Sequence, residues 1–186
     1  MEMLKTIAKA WKIEDIRRKI IFTLLMLVVF RIGSNIPVPG IDREVLNQAF
    51  QGGTGLLELF DLFSGGSFSN MTIFALSITP YITASIILQL LTIAIPALER
   101  LSREGTEGRK KITQYTRYLT VALAFVQAIG VSVGMFRQAL ISTDFFSVAV
   151  IVIVLSAGTA FLMWLGEKIN ENGIGNGISL IIFGGI

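Results

Sequence analysis

Apolar residues fall into long blocks along this chain, separated by short polar or charged interruptions. Four blocks, at about 20–36, 71–95, 118–136 and 145–165, approach the roughly 20 residues an α-helix needs to cross hydrocarbon. Each predicts a membrane span. A fifth run, ISLIIFGGI at 178–186, reads as the start of another span cut off at Ile186, which makes the chain a fragment. The first 19 residues place Leu4, Ile7, Ala8 and Trp11 on one helical stripe among lysines. That pattern predicts an amphipathic helix lying on an anionic leaflet, or else a solvated basic leader.

The interruptions differ in kind. After the first span, PVPGID is rich in turn formers, and Asp42 is placed to cap a short helix through Phe50 within an external segment at 37–54. GLLELFDLFSGGSFSN at 55–70 is a short helix pattern, with Leu56, Leu59, Phe60 and Phe63 on one face and Glu58 and Asp61 on the other. Nine residues make only about 14 Å of helix against about 30 Å of hydrocarbon. This helix therefore cannot span. A hydrophilic loop is expected at 96–117, and a polar link, GEKINENGIGNG, at 166–177.

Composition agrees with the pattern. The chain is 53% hydrophobic and only 16% charged, with a mean hydropathy of +0.70, whereas soluble domains carry about 25% charge. The fold class is all-α polytopic membrane protein. There is no Cys and no His, so disulfides, thiol nucleophiles, imidazole bases and most zinc sites are excluded, and no cofactor is expected. No A-x-A-like cleavage site follows the first apolar run, so it reads as a retained anchor.

Charge sets the orientation. Thirteen cations lie before span 1, between spans 2 and 3, or just after span 4, against two, Arg43 and Arg137, on the opposite side. By the positive-inside rule the N-terminus and the 96–117 loop are cytoplasmic, and the short helix at 55–69 lies outside. Arg31, near the end of span 1, is either a snorkelling arginine or a buried partner for a polar group.

Several short motifs carry no chemistry. GIGNG at 173–177 lacks the dinucleotide spacing and a preceding strand, EGTEGRKK lacks phosphate-loop spacing, and the sequon at Asn70 is too short a pattern to support a site. In span 2, Ile78, Ile82 and Ile86 recur every four residues, interleaved with Thr83 and Ser85 and followed by Gln89. Pro80 and these polar groups point to a helix that faces protein or water on one side. ISLII repeats the device with Ile178 and Ile182. The six cations of the 96–117 loop suit topology, or docking to anionic lipid, RNA or an acidic protein face.

Four segments carry a resemblance: RIGSNIPVPGID (31–42), LFDLFSGGSFSNMTIFALSITPYITASIILQLLT (59–92), REGTEGRKKITQYTRY (103–118) and FLMWLGEKINENGIGNGISLIIF (161–183). In order and almost from end to end, they are similar to the SecY family, pore-forming subunits of the bacterial protein-translocation channel. The resemblance implies a SecY-type bundle, this chain being the first of two inverted five-helix halves with a short plug helix. It implies an apolar pore ring with Ile78 and Ile82 from span 2 and Ile178 and Ile182 from span 5. The plug would comprise Leu56, Leu57, Leu59, Phe60, Leu62 and Phe63 with Gly65 and Gly66, these two and Gly52, Gly53 and Gly55 serving as hinges. Thr83, Ile86, Ile87 and Gln89 would line a lateral gate for signal sequences. Arg103, Arg109, Lys110 and Lys111 would dock the SecA motor or the ribosome. Further implied partners are SecE, SecG, signal peptides and translocating polypeptides, membrane lipids and the C-terminal half, in the bacterial plasma membrane. Half of a secondary transporter is the alternative, disfavoured because spans 2 to 4 hold no ionisable residue. An intramembrane hydrolase lacks the residues it would need.

Overall fold

In the computed structural model, residues 13–42, 44–46, 55–135, 139–141 and 144–185 are described. The amphipathic stripe at 4–11, Arg43, Arg137 and residues 47–54 lie outside them. The chain forms helices α1 (Glu14–Gly33), α2 (Gly55–Ser64), α3 (Thr79–Ala94), α4 (Pro96–Arg103), α5 (Thr106–Ile129), α6 (Phe145–Asn172) and α7 (Gly177–Gly185), with a π-helical turn (Gly130–Met135) continuing α5.

Helix α1 begins with Glu14 and Asp15 and ends with Arg31, charges that suit the two poles of the helix. It joins 14–19 to the apolar run without a break, so the expected boundary between leader and span at residue 19 is not there. Ser34 Oγ and Asn35 Nδ2 both donate to the Arg31 carbonyl, at 2.8 and 2.7 Å, and close the C-terminus. The Arg31 side chain is exposed and in no ion pair among the described residues.

Two elements depart from the hydropathy pattern. Residues 71–78 are not helical: they run as buried turns, and Met71 (φ 40°) and Ser77 (φ 53°) lie in the left-handed region. Their backbone is satisfied instead by the preceding segment, Val38 N–H donating to the Met71 carbonyl (2.9 Å) and Ile73 N–H to that of Ile36 (3.0 Å). The helix proper starts at Thr79, with Pro80 in its first turn, where a missing N–H costs nothing. Pro80 is a starter, not a kink. The expected loop at 96–117 is also helical. Its Pro96 opens α4 at 102° to α3, and α5 begins as early as Thr106.

Helices α3, α5 and α6 form the main packed layer, with α1 and α7 against α6, and α2 against α7. Small residues let them approach: Gly108, Thr116, Thr120, Ala124 and Ala128 are buried along α5, and a Cβ on Gly158 of α6 would run into the Ile73 carbonyl. One core cluster gathers the turns at 68–76 with α6 residues Ile151, Val152 and Leu155. A second gathers Phe30, Phe74, Ile78, Leu162, Leu165, Ile169 and Ile181. Phe30, Phe74 and Phe161 stack at centroid spacings of 5.8 and 6.0 Å, and Trp164 continues the ladder 5.6 Å from Phe161. Among the described residues, Thr106–Gly134 and Phe145–Asn172 are long and apolar enough to cross a membrane, and α3 with α4 qualify only as a bent pair.

Candidate functional site

The four isoleucines at 78, 82, 178 and 182 come together although a hundred residues separate the pairs. Ile78, at the N-cap of α3, is 1% exposed; Ile82 one turn on, and Ile178 and Ile182 on α7, are half-buried and pack on the same cluster. Two of them, Ile78 and Ile178, meet over Gly166 of α6: a Cβ there would sit 3.4 Å from Ile178, 3.5 Å from Ile181 and 3.7 Å from Ile78. At the base of α7, Gly177 lies against the Gly166 carbonyl. Branched aliphatic side chains offer no hydrogen bond or charge, so such a cluster can close against water and release whatever passes.

The GIGNG link, without phosphate-loop chemistry, builds the start of α7. Asn176 Oδ1 accepts the N–H groups of Ile178 (3.0 Å) and Ser179 (3.3 Å), and Asn170 Oδ1 accepts that of Gly177 (2.7 Å). Thr23 of α1 is buried, donates to the Lys19 carbonyl (2.8 Å) and accepts the Ile174 N–H (3.1 Å). The asparagine just before an apolar run was the signal for Asn176; nothing local marks Thr23.

Helix α2 packs against α7. Leu56, Leu57, Phe60 and Phe63 are helical in backbone, and their side chains lie outside the described residues. Leu59 and Leu62 are 53% and 54% exposed, so Leu59 does not bury with the apolar face assigned to it. Asp61 is half-buried, and its Oδ1 accepts the Ser69 N–H at 2.8 Å. Ser64 Oγ donates to the Asp61 carbonyl (3.0 Å) and accepts the Phe68 N–H (2.9 Å). Gly65 and Gly66, both at positive φ, therefore stand inside a bonded turn, not in a slack hinge.

On α3 the four predicted gate residues divide. Ile86 is exposed, on a stripe with Leu90 and Ile93. Thr83 and Ile87 are half-buried, the Thr83 hydroxyl donating to the Thr79 carbonyl at 3.1 Å. Gln89 faces a cleft of about 410 Å³ between α3, α4 and α5, together with Tyr81, Ser85 and Arg109. A second cleft, of about 640 Å³, runs past Arg109, Lys110, Arg117 and Glu171. Arg117 forks onto Glu167 of α6 with contacts of 2.8 and 2.9 Å. Arg103 pairs with Glu99 (2.6 Å) and Lys110 with Glu107 (3.1 Å), whereas Arg109 and Lys111 are exposed and in no ion pair among the described residues. Arg109, Lys110 and Lys111 share the first turns of α5, and Arg103 stands on α4.

Fold and site define the class: a polytopic α-helical membrane protein in which isoleucines of α3 and α7 share a buried cluster and a short, non-spanning helix packs against α7. The SecY family model matches residues 72–186. The chain is 52% identical to the protein translocase subunit SecY of Halalkalibacterium halodurans over 99% of its own length, and 51% identical to that of Bacillus subtilis over 99%. It spans 43% of the length of each of these relatives. Its fold is similar to that of Sec61 in the canine ribosome-channel complex from the endoplasmic reticulum (TM-score 0.65, 24% identity, 91% of this chain and 36% of that one). A structure described as showing that the plug domain of the SecY protein stabilises the closed state of the translocation channel matches 90% of this chain and 35% of its own (TM-score 0.62, 25% identity). The chain belongs to the SecY family.

Proposed function

We propose that this chain is the N-terminal half of the central subunit of a protein-conducting channel in the bacterial plasma membrane. The channel passes unfolded secretory polypeptides across the membrane and releases membrane segments into it. One observation carries the reading: Ile78 and Ile178, from two remote elements, converge on Gly166, and a helix too short to span packs against α7. Ile78, Ile82, Ile178 and Ile182 form this half's share of the pore ring, and α2 is its plug. No residue acts as a catalyst, since a passage for chains of any composition works by lining, not by chemistry. Family membership favours this reading over half of a secondary transporter.

The remaining roles follow from it. The C-terminal half of the subunit completes the ring and covers the exposed Ile86, Leu90 and Ile93, so that signal peptides enter at Thr83, Ile86, Ile87 and Gln89. Three cations stand on the first turns of α5, where the helix pole is itself positive, so this end attracts an acidic or phosphate-rich surface. With Arg103 they dock the SecA motor or the ribosome on the cytoplasmic side, where the N-terminus also lies. SecE, SecG and lipid surround the bundle. In the complete protein, Ile78→Ser combined with Ile82→Ser is expected to raise ion conductance at rest across a planar bilayer. A resting conductance equal to that of the parent would remove these residues from the ring.

A further inference from the structure

Gly65, in the turn that ends the plug, meets Gly185 of α7 backbone to backbone. A Cβ on Gly65 would strike the Gly185 carbonyl oxygen and lie 2.7 Å from its Cα; one on Gly185 would sit 3.6 Å from the Gly65 Cα and 3.6 Å from Phe30 Cζ. Such closeness leaves no room for a side chain on Gly65. The turn itself is stiff. Besides the bonds of Asp61 and Ser64, Gly66 N–H donates to the Asp61 carbonyl (3.0 Å) and Thr72 N–H to that of Ser67 (3.0 Å). Ile73 N–H then ties the turn to the Ile36 carbonyl at 3.0 Å. The plug's C-terminal end is thus fastened to the turns before α3, and among the described residues it also packs against α7, the helix that carries Ile178 and Ile182.

We infer that the Gly65–Gly185 contact is a latch through which α7 holds the plug closed. Displacement of α7 away from Gly65 both widens the isoleucine ring and unseats the plug, so the two barriers open together. The inference rests on the channel reading above and adds to it the element that controls the plug.

Gly66 supplies an internal comparison. It also has a left-handed φ, 76° against 64° at Gly65, but a Cβ there would meet only Asn70 Nδ2, at 3.8 Å. Gly65→Ala and Gly66→Ala therefore impose similar backbone strain, and only the first collides with α7. In the complete protein reconstituted in planar bilayers, the resting conductance of Gly65→Ala is expected to exceed that of Gly66→Ala about tenfold, a shift of about 1.4 kcal/mol in the plug equilibrium. Equal rises would assign the effect to strain in the turn, and parent-like conductance of Gly65→Ala would likewise overturn the latch. Should Gly65→Ala fail to accumulate, Gly185→Val approaches the contact from the α7 side, where no left-handed φ intervenes. It is expected to raise resting conductance, and a parent-like value overturns the latch. Deletion of 57–66 is measured alongside. A rise on deletion with none in the glycine variants removes the latch and leaves the channel reading standing, whereas no rise on deletion removes the plug itself.

Discussion

At the scale of single residues, the isoleucines at 78, 82, 178 and 182 matter for what they lack. In the proposed ring, no group on them could hold a passing chain, and Gly166 gives Ile78 and Ile178 space to pack. The polar residues nearby work on the backbone. Asn176 sets where α7 begins, and through it the register of Ile178 and Ile182. Asn176→Ala removes an N-cap worth about 1 kcal/mol. It is expected to lower the thermal unfolding midpoint of the complete protein, and Asn176→Asp, an equally good cap, restores it; an unchanged midpoint in the alanine variant would deny the cap any energetic role. Asp61 follows the same logic, its carboxylate closing a turn through the Ser69 N–H. Helical periodicity put Asp61 opposite Leu56 and Leu59, but periodicity says nothing of a backbone N–H that folds back from Ser69.

At the scale of elements, burial and helicity part company in the stretch 71–78. Those residues are as apolar as a span because they are buried, yet their backbone pairs with 36–38. Hydropathy measures burial, and a chain buried in turns produces the same signal as one buried in a helix. Conversely, 96–117 is charged but helical, because α4 and the start of α5 expose one face while Gly108 packs against the Leu101 carbonyl. The seam between α6 and the turns depends on Gly158. Gly158→Val places a side chain against the Ile73 carbonyl, and overpacking of this kind costs about 1–3 kcal/mol. A drop in thermal stability, read on the purified complete protein, is expected; a midpoint equal to that of the parent would show that the seam yields freely.

At the scale of the whole molecule, Arg109, Lys110 and Lys111 stand together on the first turns of α5, and the short helix α2 packs against α7. Arg109 and Lys111 have no ion pair among the described residues, and the pair of Lys110 is exposed, so little internal stability depends on them. Arg109→Glu with Lys110→Glu in the complete protein is expected to weaken binding to SecA or ribosomes while leaving resting conductance at the parent value. Unaltered affinity for both would exclude this face as the docking site. The sequence alone determined the helical membrane class, the existence of a helix too short to span and the capping role of Asp42, whose carboxylate accepts the Glu44 N–H at 2.9 Å. Each of these depends on local composition or on neighbours a few residues away. Only the tertiary structure decided that 71–78 are turns, that Gly65 meets Gly185, that Thr23 braces the link before α7 and that Ile78 and Ile178 share the space over Gly166. Those contacts join residues far apart along the chain, and glycine and threonine leave no periodic trace of the partners they will touch.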